Sequence, residues 1–399
     1  MKKSTAIHCH RANNASGCQM SGRSRREKST SYFPILKWRH KELAALSYLD
    51  QIDADYITPV FELPPEQWDF DIGRPSEDLR AKYARFGIHL SAAWKNRRCA
   101  IDSPYLSASP STGGGRILDL VFEQARSWGC VAFPVFGLHC DEAYLHAVKR
   151  AQILDGHGAC LRLQIEDVDE TVFMRMQRTL QAVAAQPSNC DLLIDFGANA
   201  PLSASCHVTS VSALLASVPF LDDWRNVIVA RTSIPAALPH DLYWPRGDVD
   251  RYEWSGYLSA ASAPSQNGID ISYSDYGVVH PSSEMVDPRL IGRDLSLVYA
   301  RDDHWSVYAP RGAGAYEIES IARACCSDGI ADQTLVDTRS SCWADAQIQR
   351  LAVGQDAELA HAIWPQLATN RHLSVVARQL ANQRFTGTDF INRCTTSDR

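Results

Sequence analysis

The chain has 399 residues, 45% of them hydrophobic and 22% charged, and a formal net charge of −6 at pH 7. This is ordinary globular composition, and the negative balance gives no support for broad nucleic-acid binding through bulk charge. No apolar run approaches a membrane span, so no membrane partner is expected. The twelve scattered cysteines contain no CxxC pair and point to a reduced, cytoplasmic protein rather than a disulfide or zinc framework.

Residues 1–30 are rich in Ser, Asn, Arg and Lys and lack both apolar periodicity and the apolar centre of a secretory signal. They read as a disordered basic leader. Regular patterning starts at Tyr32. A first strand over 32–37 is followed by helical spacing of Leu43, Leu46, Leu49 and Ile52. A second strand over 56–63 is closed by Pro64-Pro65, and a third is expected over 87–94, ending at Lys95. A Ser/Pro/Gly loop over 102–115 carries Gly113-Gly114-Gly115, which lacks the Lys-Ser/Thr of a phosphate loop and the spacing of a dinucleotide fingerprint.

The alternation then continues. Strands are expected over 130–136, 159–165, 189–196, 227–231 and 269–276, with helical segments between them. Eight strand–helix units imply parallel strands with crossover helices. The fold expected for residues 31–330 is a (β/α)8 TIM-like barrel, with a doubly wound open sheet as the rival. The fifth strand favours the barrel. Cys160, Arg162 and Gln164 share one parity while Leu161, Leu163 and Ile165 share the other, so one face is polar, as a lumen near its open mouth would be. Residues 295–300 and 305–309, joined by Arg301-Asp302-Asp303-His304, read as a β-hairpin inserted after strand eight. From about 315 the chain is helical, and residues 331–399 are expected to be a C-terminal appendage packed on the barrel.

In a barrel the carboxyl ends of all strands meet at one face, where the site lies. The charged residues expected there are Lys37, Glu62, Lys95, Arg162, Asp195, Arg231 and Asp275, with Glu253 close by. Charges at the ends of buried strands are costly unless paired or ligand-bound. Arg forks and Lys point charges suit phosphate or carboxylate recognition. This places Lys37, Lys95, Arg162, Arg231 and Glu253 in substrate binding. It leaves Glu62, Asp195 and Asp275 to move protons or to hold Mg²⁺ as the cofactor. No HxH or HExxH motif supports zinc.

Tyr32-x-Pro34-Ile35-Leu36-Lys37, Glu42-x-x-Ala45-Leu46 and Pro59-x-x-Glu62-x-Pro64 together resemble the opening of the phage and bacterial beta-protein family. Leu193-Ile194-Asp195, Arg251-Tyr252-Glu253-Trp254 and Asp275-Tyr276-Gly277 are similar to its later blocks, so the likeness covers about residues 32–380. The resemblance implies a phage, mobile-element or anti-phage-defence setting. It marks Lys37, Glu62, Asp195, Arg231, Glu253 and Asp275 as family-motif positions and supplies no reaction. The expectation is therefore a cytoplasmic barrel with an anion-recognising mouth that acts on a phosphate-containing, nucleotide-like ligand. The alternative is a non-catalytic module of a phage–host conflict system that binds a protein partner from the same operon. A glycosidase, with its two carboxylates, is a third reading.

Overall fold

The structure is a computed structural model. It describes residues 32–64, 68–69, 74–75, 79–107, 113–198, 204–218, 220–236, 246–262, 270–281, 296–309, 315–330, 341–355 and 360–395. The basic leader over 1–30 lies outside the described residues.

Eight parallel strands form one sheet. They are β1 (Ile35–Lys37), β2 (Val60–Glu62), β5 (Arg98–Asp102), β6 (Val131–Phe136), β7 (Ala159–Gln164), β8 (Cys190–Asp195), β9 (Asn226–Ala230) and β11 (Ile271–Ser274), side by side in chain order. The last strand returns to the first. Tyr32 bridges to Tyr273, the Phe33 N–H donates to the Tyr273 carbonyl at 2.9 Å, and the Ile35 N–H donates to the Asp275 carbonyl at 2.7 Å. The result is a nearly closed parallel barrel ringed by helices, of the TIM-barrel type.

Strand alternation sorts the side chains into two cores. Outward positions such as Phe61, Ile101, Leu161, Leu163, Leu192 and Val227 pack under the helices. Inward positions such as Ile35, Val60, Ala100, Cys160, Leu193 and Ile228 fill the lumen. The amino-terminal end is plugged by Phe133, with the guanidinium groups of Arg98 and Arg225 at 4.2 and 5.2 Å from its ring. Arg225 also grips Asp191 with two hydrogen bonds of 2.7 and 2.6 Å.

The expected third strand is overturned. Residues Phe86–Trp94 are a helix, and the strand is β5, a few residues later. Phe86, Leu90 and Trp94, four residues apart, point into the core, a helical spacing hidden in a short apolar run. Lys95 ends that helix at φ 57° and is exposed, so it stands at no barrel strand's carboxyl end.

Smaller sheets flank the barrel. β3 (Trp68–Asp69) pairs with β4 (Arg74–Pro75). β12 (Leu297–Ala300) and β13 (His304–Tyr308) are antiparallel, and β10 (Arg246–Asp250), from the β9–β11 connection, adds to β13. A second core forms where Leu297, Tyr299 and Tyr308 meet helices Ala315–Cys325, Trp343–Ala352 and the start of the long helix Ala360–Thr395. Further along that helix, Leu373, Val376, Ala377 and Leu380 join the outer core of the barrel itself. No helix among the described residues is long and apolar enough to cross a membrane.

Candidate functional site

The lumen core ends one layer below the mouth, and the layer above it is charged. Two residues on from Ile35, Val60, Ala100, Cys160 and Leu193 stand Lys37, Glu62, Asp102, Arg162 and Asp195, all on the inward parity. Register sets Lys37 opposite Glu62 and Glu62 opposite Asp102, while Arg162 lies opposite Leu193, two residues short of Asp195 on the next strand. All five are at most 8% exposed.

Arg162 is the hub. Its Nη1 donates to Glu62 Oε1 and Asp102 Oδ2, both at 2.6 Å. Its Nη2 donates to Asp195 Oδ2 at 2.6 Å and to the Tyr276 hydroxyl at 2.8 Å, and its Nε donates to Asp195 Oδ2 at 3.0 Å. All five guanidinium N–H groups are therefore engaged. Tyr276 donates in turn to Asp195 Oδ2 at 2.6 Å. Asp195 Oδ1 accepts the Gly197 N–H at 2.8 Å, in a turn whose φ of 61° suits glycine. Lys37 pairs with Glu62, donates to the Pro281 carbonyl at 3.2 Å and lies 5.7 Å from the Tyr105 ring.

Three carboxylates thus share two cations in a buried setting, and the proton affinities of Glu62 and Asp102 split. Burial raises that of Glu62, but Arg162 and Lys37 outweigh it and leave the group below its ordinary value. Asp102 ends above its ordinary value, because burial and the neighbouring Glu62 and Asp195 outweigh Arg162. Burial also lifts the Tyr276 hydroxyl well above its usual range. The layer opens on a cavity of about 490 Å³ lined by Glu62, Tyr105, Arg162, Asp195, Tyr276 and His280, among others.

Four of the eight expected site residues meet here: Lys37, Glu62, Arg162 and Asp195. Lys95 is excluded by the shifted strand. Arg231 and Asp275 have the outward parity of Val229 and Tyr273. The Arg231 guanidinium lies 5.0 Å from the Phe196 ring. Asp275 accepts from the Tyr32 hydroxyl at 2.5 Å and from His372 Nε2 at 2.8 Å, tying the barrel seam to the long helix. Burial pushes His372 below its ordinary value, while His372 and the Tyr32 hydroxyl hold Asp275 below its own against burial. Glu253 sits in the first turn of helix Tyr252–Ser262, accepts from the Ser233 hydroxyl, and is pushed up to about 7 by burial.

Asp102 and Tyr276 are the site residues that sequence reasoning missed. Their signal was parity: Asp102 follows Ala100 as Glu62 follows Val60, and Tyr276 is the inward neighbour of Asp275. The acids aim at Arg162 and Lys37 rather than at one open point. Among the described residues no group of three or more His, Cys, Asp or Glu is arranged to hold a metal ion.

The comparison with known families bears on the same residues. The model of the family described as Beta protein matches residues 32–378, most of the chain and all of the barrel. The chain belongs to the Beta protein family. In this Beta protein the matched region contains the whole charged layer, from Lys37 to Tyr276, and most of the long helix. No curated protein matches it significantly.

Proposed function

We propose that the mouth of the barrel binds a phosphate-containing, nucleotide-like ligand in a phage, mobile-element or defence setting, and acts on it by proton transfer. The observation that carries this reading is the divided pair on one nitrogen. Glu62 and Asp102 share Arg162 Nη1, yet one is pushed toward the ionised form and the other toward the neutral acid. Carboxyl groups driven apart in this way suit different parts in proton transfer, and the one held toward the neutral acid is the one able to donate.

An incoming phosphate has a condition to meet, because every N–H of Arg162 is in use. It must replace a carboxylate, and Asp102, held above its ordinary value while Glu62 is held below, is the one to release. Once the phosphate takes Nη1, Asp102 loses its main compensating charge and binds a proton. Binding therefore takes up a proton and tightens as the pH falls.

The test is a thermal-shift series with AMP, inorganic phosphate and adenosine between pH 6 and 8. AMP at about a hundred times its Kd should add about 2.7 kcal/mol of stability. The gain should need the phosphate, grow toward pH 6, and become independent of pH in Asp102→Asn. Equal shifts from adenosine and AMP would refute phosphate recognition. No shift from any ligand would favour the second reading, a non-catalytic module whose saturated Arg162 only holds the barrel mouth together.

A further inference from the structure

A smaller cavity of about 170 Å³ adjoins the mouth, and Pro104, Arg162 and Gln164 wall both. The acids around Arg162 divide between them. Glu62 and Asp195 line the larger space, whereas Asp102 lines the smaller one. His139, from the turn after β6, lines that space as well, and its Nε2 lies 2.5 Å from Asp167 Oδ1. Asp167 is only 6% exposed and is fixed by the Gln164 N–H, which donates to its Oδ2 at 3.1 Å. A buried carboxylate thus orients an imidazole whose own side chain is 67% exposed, and Nδ1 is the nitrogen that Asp167 does not engage. The neighbouring Cys140 does not serve as a nucleophile. Burial pushes its thiol up to about 11, and its sulfur accepts the Gly137 N–H at 3.2 Å.

We propose that this cavity is the reacting pocket of the mouth, with His139, oriented by Asp167, as general base and Asp102 as general acid in the hydrolysis of a phosphodiester. The proposal rests on the reading that the mouth takes phosphate-containing ligands. The phosphoryl group lies against Arg162. His139 takes a proton from a water, whose oxygen bonds to phosphorus as the bond to the leaving oxygen breaks. That oxygen leaves as an alcohol with the proton of Asp102. The products are a phosphomonoester and an alcohol, and both protons then exchange with solvent. A buried acid that holds one nitrogen of His139 and leaves the other open suits the imidazole to general-base catalysis.

The full chain is assayed on bis(p-nitrophenyl) phosphate and on a dinucleotide, with AMP binding followed in parallel. His139→Gln should lower kcat about a hundredfold or more with KM little changed. Asp102→Asn should cripple dinucleotide cleavage far more than release of p-nitrophenolate, a leaving group that needs no proton. Because His139 is exposed, its variant should keep the wild-type Tm. Turnover within threefold of wild type in His139→Gln overturns the inference and leaves the mouth reading intact. AMP binding without turnover of either substrate does the same. Failure to bind AMP at all overturns the mouth reading and this inference together.

Discussion

Replacing Arg162 with Met keeps most of its volume and removes the one charge that Glu62, Asp102 and Asp195 share. The four side chains are between 3 and 9% exposed, so water cannot take over the role of the guanidinium. Removing one partner from a buried ion pair costs about 3–5 kcal/mol, because the remaining charge is left without compensation. With an unfolding entropy of about 2 cal/mol/K per residue over roughly 350 folded residues, that loss lowers Tm by about 4–7 °C. The penalty should depend on pH. In the native protein Glu62 is held below its ordinary value, so its contribution is present above its unfolded pKa and fades as the pH falls through the folded one. Asp102 is held above its ordinary value and has the opposite slope, losing stability as the pH rises. Without Arg162 only burial and mutual repulsion act on Asp102, and Lys37 alone opposes them at Glu62. The acids then hold protons to higher pH. The deficit should be largest near pH 7.5 and should shrink toward pH 5. Tryptophan fluorescence melts of both proteins at the two pH values provide the measurement, and adding Asp195→Asn to Arg162→Met should recover part of the loss. A Tm within about 1 °C of wild type at pH 7.5, or an equal deficit at both values, would refute the claim that Arg162 neutralises this layer.

Three further outcomes follow from residues outside the mouth. Glu253, buried and raised to about 7, should lower stability as pH climbs from about 4.5 to 7, an effect on the order of 3 kcal/mol. Glu253→Gln should flatten that part of the stability–pH curve in urea titrations, and an unchanged curve would count against its burial as an acid. Asp275→Asn should cost about 2–3 kcal/mol by weakening the bonds to Tyr32 and His372. Its deficit should diminish at low pH, because the folded pKa of Asp275 is depressed, and AMP affinity should stay unchanged; a loss of affinity would return Asp275 to the mouth. Gly158 has φ +78°, and a Cβ there would lie 2.1 Å from the Asn189 carbonyl oxygen, so Gly158→Ala should destabilise by at least about 2 kcal/mol in the same melts.

Much of the barrel was legible because buried parallel strands are written as short apolar runs between helical spacings. The third strand was not. Its start, Arg98, is charged because it stacks on Phe133 at the closed end, while the preceding helix offers a more apolar run than the strand does. Arg162 was legible from its parity within strand five. Arg231 and Asp275 were misplaced for the same physical reason. Being at a strand's carboxyl end puts a residue near the mouth, but only the inward parity puts its side chain there. Asp102 needed both the right strand and the right parity, and His139 needed the third dimension.

The long helix bears on how this protein is made. Its residues reach back across nearly the whole chain. His372 lies 3.0 Å from the Tyr32 hydroxyl, Asn370 donates to the Ala45 carbonyl at 3.0 Å, and Arg378 grips Asp53 at 3.0 and 2.8 Å. The first strand and first helices therefore wait, as the ribosome works, for partners some 325 to 340 residues downstream. Contacts so distant in sequence close late, since their loop entropy must be overcome before they form. Synthesis would thus be nearly complete before the long helix can brace the barrel seam. A nascent chain stalled short of residue 370 should have a seam held by its own strand bonds alone, and should be more open to protease there until the last helix emerges.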